Sequence, residues 1–532
     1  MTESISEEHN ISRAAGVVGL FTFLSRILGL IRDIVLAFFF GTGMAMDAFV
    51  AAFRIPNLLR RLFAEGSLTI VFIPVFTEYL TTRTKKEAFE LARIILTLLA
   101  VILVIITLLG VLFSPWLVRI QAFGFGGSGV KYDLTVLLTR ITFPYIFFIS
   151  IVALFMGILN SLRHFAAPAA APIFLNVGII GASYLISPHL AQPIVGVAVG
   201  VLIGGALQVA LQIPWVLQEG LRLFPLWRLD HPAVKKIALL MAPALFGSAV
   251  YQLNSYIGTL LASFLEEGSV SWLYYADRLV QFPLGVFAIA ISTAALPSFS
   301  TQVAEKKMKE LEDTFSHALG LVFFIIIPST VGLIVLGKPI IQMLFERGAF
   351  GESSSMMTSQ ALMMYAMGLW AFSGTRIIVS VFYAFQDTKT PVKVAVVTFL
   401  INLLLSLLLM GPLKHNGIAL ALSLASAIQF FLLLFILNRR FAIIRMRPSF
   451  VSAMKSVAAA SIMGMGVYYA YSHWLIMDLT LGFWNRALNL AGLMILGIFL
   501  YFLGAWILRC RELVAVADSV RSLFSSQALS KG

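Results

Sequence analysis

Apolar residues run in blocks of about twenty along the whole chain, separated by short breaks where Gly, Pro and charged residues gather. A helix of that length crosses a hydrocarbon core of about 30 Å. The pattern predicts about fourteen spans, at residues 15–40, 47–80, 88–114, 131–160, 166–187, 191–216, 234–262, 269–301, 314–337, 353–384, 391–411, 415–438, 450–475 and 484–509. Several are too long for one crossing and must tilt, kink or run past the membrane. The strand-period alternation of an outer-membrane barrel is absent. The predicted fold class is an all-α polytopic membrane protein.

Composition agrees. Of 532 residues, 60% are hydrophobic and 12% charged, where a soluble domain has about 25% charged. A net charge of +13 would point to nucleic acid in a soluble protein, but here it fits cation-rich loops on one side of a membrane, with no nucleic-acid partner. The single cysteine, Cys510, excludes an intrachain disulfide framework, and it is expected to be a passive residue at the end of the last span. The seven histidines form no HxxxH or HxH pair, so no metal site is predicted. The acidic start "MTESISEEHN" is unlike the basic n-region of a cleaved signal.

The loops divide by charge. Those after even-numbered spans hold "RTKK" (83–86), Arg163 with His164, "KK" (235–236), "KKMK" (306–309), Lys389 with Lys393, and Arg439, Arg440, Arg445 and Arg447. Arg509 and Arg511 follow the last span. Loops after odd spans, such as "GTGMAMD", "SPHLAQP" and "LEEGSVS", are poor in cations. The positive-inside bias predicts both termini in the cytoplasm.

The two halves echo each other. "FIPVFTEY" (72–79) aligns with "ALPSFSTQ" (295–302), and "NSLRHFAAP" (160–168) with "YAFQDTKTP" (383–391). These alignments match Pro74 with Pro297 and Pro168 with Pro391, both 223 positions apart. "LFSPWLVRIQAFGFG" (112–126) resembles "LGKPIIQMLFERGAFG" (336–351) at nearly the same offset. An offset of six spans makes the repeats parallel, with a substrate path between them. The predicted organisation is a first lobe over 1–220, a second over 221–445, and two appended helices with a tail over 446–532.

A charge at mid-bilayer costs roughly 2.5–3.5 kcal/mol on insertion scales, so charges inside spans carry information. Span 1 holds Arg26, Arg32 and Asp33; span 2 holds Asp47, Arg54, Asn57, Arg60, Arg61 and Glu65; span 8 holds Asp277 and Arg278. Some of this is expected to be structural. Arg61 and Glu65 stand at i,i+4 and can pair along one helix, Arg26 and Asp33 share a stripe, and Arg54 can snorkel. Asp47 could pair with a cation at an outer gate or cap its own helix. Arginines nevertheless outnumber acids across the three helices. Arginine suits phosphate because its planar fork gives paired hydrogen bonds and keeps its proton. The residues therefore imply a hydrated cationic cavity for an amphiphile or solute with a multivalent anion. Gly29, Gly41 and Gly43 offer places for span 1 to bend.

Four stretches, "SRILGLIRD" (25–33), "MDAFVAAFRIPNLLRRLFAEG" (46–66), "SWLYYADRL" (271–279) and "QDTKTPVK" (386–393), make the chain resemble the MurJ (MviN) family of lipid II flippases, in the superfamily that includes MATE exporters. The resemblance runs over essentially the whole chain. It implies two six-helix bundles in a V and two further helices forming a lipid-accessible groove. It implies substrate-binding roles for Arg26, Arg32, Arg60 and Arg278, and an essential aspartate at Asp47. Ser25, Asp33, Asn57, Arg61, Glu65 and Asp277 lie in the same motifs as gate or supporting residues. The implied substrate is undecaprenyl-pyrophosphate bearing the peptidoglycan disaccharide-pentapeptide, moved to the outer leaflet of the bacterial inner membrane. No cofactor is implied. Coupling to membrane potential or to an ion gradient, sodium or chloride, is implied without ligands in this sequence, and cell-wall synthesis proteins are implied partners.

Three other readings are weighed against this. A MATE-like drug or cation exporter needs acidic groups in its cavity, whereas these spans are net basic. A flippase for another polyprenyl-linked sugar is separated by the resemblance alone. A membrane glycosyl- or phosphotransferase would need acidic metal ligands in its loops, and the sequence has no DxD or HxxxD. The chain does not read as an enzyme.

Overall fold

A computed structural model describes residues 2–60, 68–441, 446–473 and 482–514. The described residues are helical, without strands. Ten helical stretches among them are long and apolar enough to cross a membrane. One of these, Lys389–Phe441, contains two of the expected spans, joined where Lys414 leaves helical geometry (φ 51°, ψ −132°). Expected spans 1, 2 and 7 are not in that set.

The chain forms two compact units. The first comprises residues 1–271 with 347–350, and the second 272–346 with 351–532. The first contains α1 (Thr2–Phe40), α2 (Met44–Arg60), α3 (Leu68–Thr82), α4 (Lys85–Leu112), α5 (Ser114–Gln121), α6 (Val130–Thr142), α7 (Tyr145–Ser161), α8 (Ala166–Leu185), α9 (Ile194–Gln218) and α10 (Pro232–Ala262). Within it α1 packs on α8, α8 on α9, α2 on α6, and α10 against α3. The α8–α9 contact is close because small residues face each other: a Cβ on Gly178 would meet the backbone of Gly204.

The chain then enters α11 (Ser269–Pro283), whose first turn belongs to the first unit. The second unit continues with α12 (Ile289–Ala304), α13 (Met308–Phe345), α14 (Glu352–Ala366), α15 (Leu369–Ala384), α16 (Lys389–Phe441), α17 (Met446–His473) and α18 (Phe483–Ile507). There α13 packs on α17, α17 on α18, and α15 on α16. Several long apolar runs break where the sequence permits it. The run at 131–160 splits at Phe143–Pro144, and the run at 269–301 passes through a π-helical turn at Leu284–Ala288 after Pro283.

Packing is that of a protein in lipid. On α4, Leu91, Ile95, Leu98 and Leu103 are buried while Ile102, Ile105, Leu109 and Leu112 are exposed along the opposite stripe. The same outward apolar face recurs on α16 (Leu400, Leu404, Leu407) and α18 (Ile495, Ile498, Phe499). In water such faces would drive aggregation; in hydrocarbon they are the solvent-exposed side.

The repeat recurs in the helices. α4 and α13 begin at Lys85 and Met308, and α8 and α16 at Ala166 and Lys389, each pair 223 positions apart. The turn before α8 closes with His164 N–H donating to the Leu159 carbonyl, and the turn before α16 with Asp387 N–H donating to Phe382. Both are Schellman turns in which a non-glycine residue takes the left-handed position, Arg163 (φ 64°) in one and Gln386 (φ 58°) in the other.

Candidate functional site

The charge on α1 is partly consumed within the protein. Arg32 donates from Nε and Nη2 to Asp33 Oδ1 (3.0 and 2.8 Å) and from Nη1 to Asn176 Oδ1 on α8 (3.0 Å). Asn176 in turn donates to the backbone carbonyl of Ser25 (3.2 Å). The Arg32 and Asp33 side chains keep 13% and 3% of their surface. The expected Arg26–Asp33 pair on the shared stripe is therefore replaced. Asp33 is taken by its immediate neighbour, because a long arginine can fold back over one peptide unit. Arg26 is exposed and makes no hydrogen bond or ion pair among the described residues.

At the start of α2 the chain builds a denser node. Asp47 is fully buried. Its Oδ1 accepts from Ser271 N–H (2.9 Å) and Ser271 Oγ (2.6 Å), and its Oδ2 from Gly268 N–H (2.8 Å) and Lys131 Nζ (2.7 Å). The two readings of Asp47 merge, with a correction: it pairs with a cation, and the helix it caps is the start of α11 rather than its own. The carboxylate satisfies amide donors that a helix N-terminus leaves open and complements the positive end of the helix dipole.

Neighbouring contacts draw the segments after α1, α5, α10 and α13 together at this end of the first unit. Met44 N–H donates to Glu267 (2.7 Å), Gly124 N–H to Ser263 Oγ (3.0 Å), and Ala349 N–H to the Phe38 carbonyl (2.9 Å). Gly41 (φ 57°) and Gly348 (φ 60°) sit against backbone, where a Cβ would collide with the Ala349 and Phe38 carbonyls respectively. This end is shut.

The remaining predicted residues divide by helix. On α2, Arg60 donates from Nε to Asn57 Oδ1 (3.0 Å). Arg61 and Glu65 lie outside the described residues. On α11, the Arg278 guanidinium lies 4.7 Å from the centre of the Tyr274 ring and donates to its hydroxyl (3.4 Å), while Asp277 accepts from Gln281 (3.3 Å). Both Arg278 and Asp277 are half-buried. Among the described residues no three His, Cys, Asp or Glu side chains gather as a metal ligand set. Sequence reasoning missed Lys131, Asn176 and Ser271. None lies in a run of intramembrane charge, and only their spatial neighbours mark them.

With this geometry in hand, comparison with known proteins adds the decisive observation. The family model described as "Lipid II flippase MurJ" matches residues 36–485. The chain is a member of the MurJ family. It is 38% identical over 492 residues to a MurJ protein of Vibrio cholerae serotype O1, covering 91% of this chain and 94% of that one. It is 35% identical over 469 residues to the lipid II flippase MurJ of Burkholderia cenocepacia, covering 87% and 90%. A solved structure of lipid II flippase MurJ in an inward closed conformation superposes with a TM-score of 0.79 at 28% identity, covering 93% of this chain and 99% of that one. An inward-facing multidrug MATE transporter of the MOP superfamily superposes at 0.65 with 14% identity, covering 80% of this chain and 98% of that one; that likeness is one of fold. The protein is a multi-pass membrane protein of this family.

Proposed function

We propose that the protein carries lipid II from the cytoplasmic to the outer leaflet of the bacterial inner membrane by alternating access, without covalent chemistry. The observation that carries this is the family membership over nearly the whole chain, joined to arginines on three helices, Arg26, Arg60 and Arg278. A pyrophosphate held by planar guanidinium forks would exchange its water shell for fixed donors. The prenyl tail stays in hydrocarbon, along the apolar outer faces of α17 and α18. Arg32 is a supporting residue in this state, since Asp33 and Asn176 already hold it.

Both termini lie in the cytoplasm, as the cation-rich loops favour. The end of the first unit where Asp47 lies is then the outer one, and Asp47 is its latch. Substrate shifts the balance toward the outward state only by binding that state more tightly. Membrane potential supplies further drive. Cell-wall synthesis proteins receive the flipped lipid.

The test is transport by the purified full chain in vesicles, with lipid II compared against undecaprenyl-phosphate sugars that carry one phosphate. Selective movement of lipid II is expected. Equal movement of both would overturn the pyrophosphate assignment.

A further inference from the structure

Asp47 holds a cation even though three donors from the start of α11 already surround its carboxylate. Those three come from the second repeat. Lys131, on α6, comes from the first, as Asp47 does. Its ammonium also lies 4.3 Å from the centre of the Phe125 ring, in the loop leading to α6. Lys131 is thus anchored from both sides by its own repeat, and the α2–α6 packing keeps it beside Asp47. The boundary between the two compact units falls directly after Ser271, the last donor in the latch.

When the start of α11 withdraws, Asp47 loses Gly268 N–H, Ser271 N–H and the Ser271 hydroxyl together. A carboxylate left in protein without partners is strongly unfavourable, because it has neither water nor a counter-charge. Building on the latch assignment of the preceding section, we propose that Lys131 is the counter-ion that keeps Asp47 paired once the latch is released. It is a positioning residue of the transport cycle. It does not touch substrate; it makes the unlatched state accessible by leaving no bare charge behind. A brace that merely held the closed end would act in the opposite direction, and this difference in sign is measurable.

The readout is amide hydrogen exchange at Gly268 and Ser271, whose N–H groups are protected by Asp47 only while the latch is closed. It is measured on the full chain in lipid bilayers. Asp47→Asn should speed exchange. Lys131→Met should slow it by roughly ten-fold or more, the least expected from loss of the counter-ion to a buried carboxylate. It should slow lipid II movement in parallel, and Lys131→Arg should exchange like the parent protein. In Asp47→Asn/Lys131→Met no charge is left to strand, so exchange should match Asp47→Asn alone. Should Lys131→Met not be recovered folded, Lys131→Gln carries the same expectation. Unchanged or faster exchange in Lys131→Met, with Asp47→Asn still fast, makes Lys131 a brace and overturns the proposal alone. If Asp47→Asn leaves exchange unaltered, the latch assignment itself falls.

Discussion

Arg32 and Asp33 are sequence neighbours, yet the pair joins three helical positions, because Asn176 on α8 ties Arg32 back to the Ser25 carbonyl. Removing one partner of such a buried pair strands the other, at a cost of about 3–5 kcal/mol. Arg32→Ala should therefore lower thermal stability as well as transport, and Arg32→Gln/Asp33→Asn should recover most of the stability in an unfolding scan. Arg26→Ala should behave differently. Arg26 is exposed, so the variant should unfold at the parental temperature while lipid II movement falls by at least an order of magnitude, consistent with loss of a charge-assisted contact worth about 1.5–3 kcal/mol. Arg26→Lys should rescue only partly, since the fork is lost. Normal transport by Arg26→Ala would remove it from the substrate site. The arginines were legible in the sequence because charge is conspicuous against apolar helices. The different surroundings of Arg26 and Arg32 were not, because the shared stripe favours Arg26 as the partner of Asp33 and the deciding partner of Arg32, Asn176, is more than a hundred residues away.

At the scale of elements, the repeat reaches into the pairing of side chains. After α7, His164 Nε2 lies 2.7 Å from Glu219, which also accepts from Lys85 (2.8 Å). At the matching position after α15, Asp387 pairs with Arg440. The carboxylate has changed sides between the halves while the link from the turn to the end of a later helix has been kept. Asp387 also caps α16, accepting from Thr390 N–H (3.0 Å) and Thr390 Oγ1 (2.6 Å), which gives the "QDTKTP" motif a structural purpose. Burial alone would raise the Asp387 carboxyl, but the Thr390 hydrogen bonds and the Arg440 charge outweigh it and hold the group below its ordinary value. Stabilisation from a lowered carboxyl is complete above the ordinary value and disappears as pH falls through the folded-state value. Asp387→Ala should then cost about 1 kcal/mol at neutral pH, as a lost cap does, and flatten the acid limb of a stability–pH profile below about pH 4. An unchanged acid limb would deny the clamp its role. The Asp47 end of the first unit offers a parallel case. Gly41→Ala forces a left-handed alanine, a cost of about 1–2 kcal/mol, against the Ala349 carbonyl; Gly268 and Ser271 amides should exchange faster in that variant. Span positions and the 223-residue offset could be read from apolar runs and prolines, since both are local. The short helix α5, the π-turn after Pro283 and the run of α13 through Pro328 and Pro339 could not. Tertiary packing decides whether a proline ends a helix or is absorbed by it.

For the molecule as a whole, the sign of the charge that crosses with the substrate sets how the membrane acts on transport. A pyrophosphate is an anion, and an inside-negative potential drives anions outward. Each net charge moved across 100 mV contributes about 2.3 kcal/mol, a shift of roughly fifty-fold in an equilibrium. If arginines travel with the pyrophosphate they cancel part of this, so the slope of rate against voltage counts the uncompensated charge. Vesicles holding the purified protein, with potassium gradients and an ionophore setting the potential, allow the slope to be measured. Lipid II export should quicken under inside-negative potential and slow when the sign is reversed. Arg278→Gln removes one positive charge from α11 and should steepen the slope even as it lowers the rate at zero potential. Lys131→Met, which acts on the latch rather than on the cargo, should lower the rate and leave the slope alone. Rates indifferent to the sign of the potential would mean that cargo and cavity cross as a neutral whole, and that the outward direction is set by another gradient.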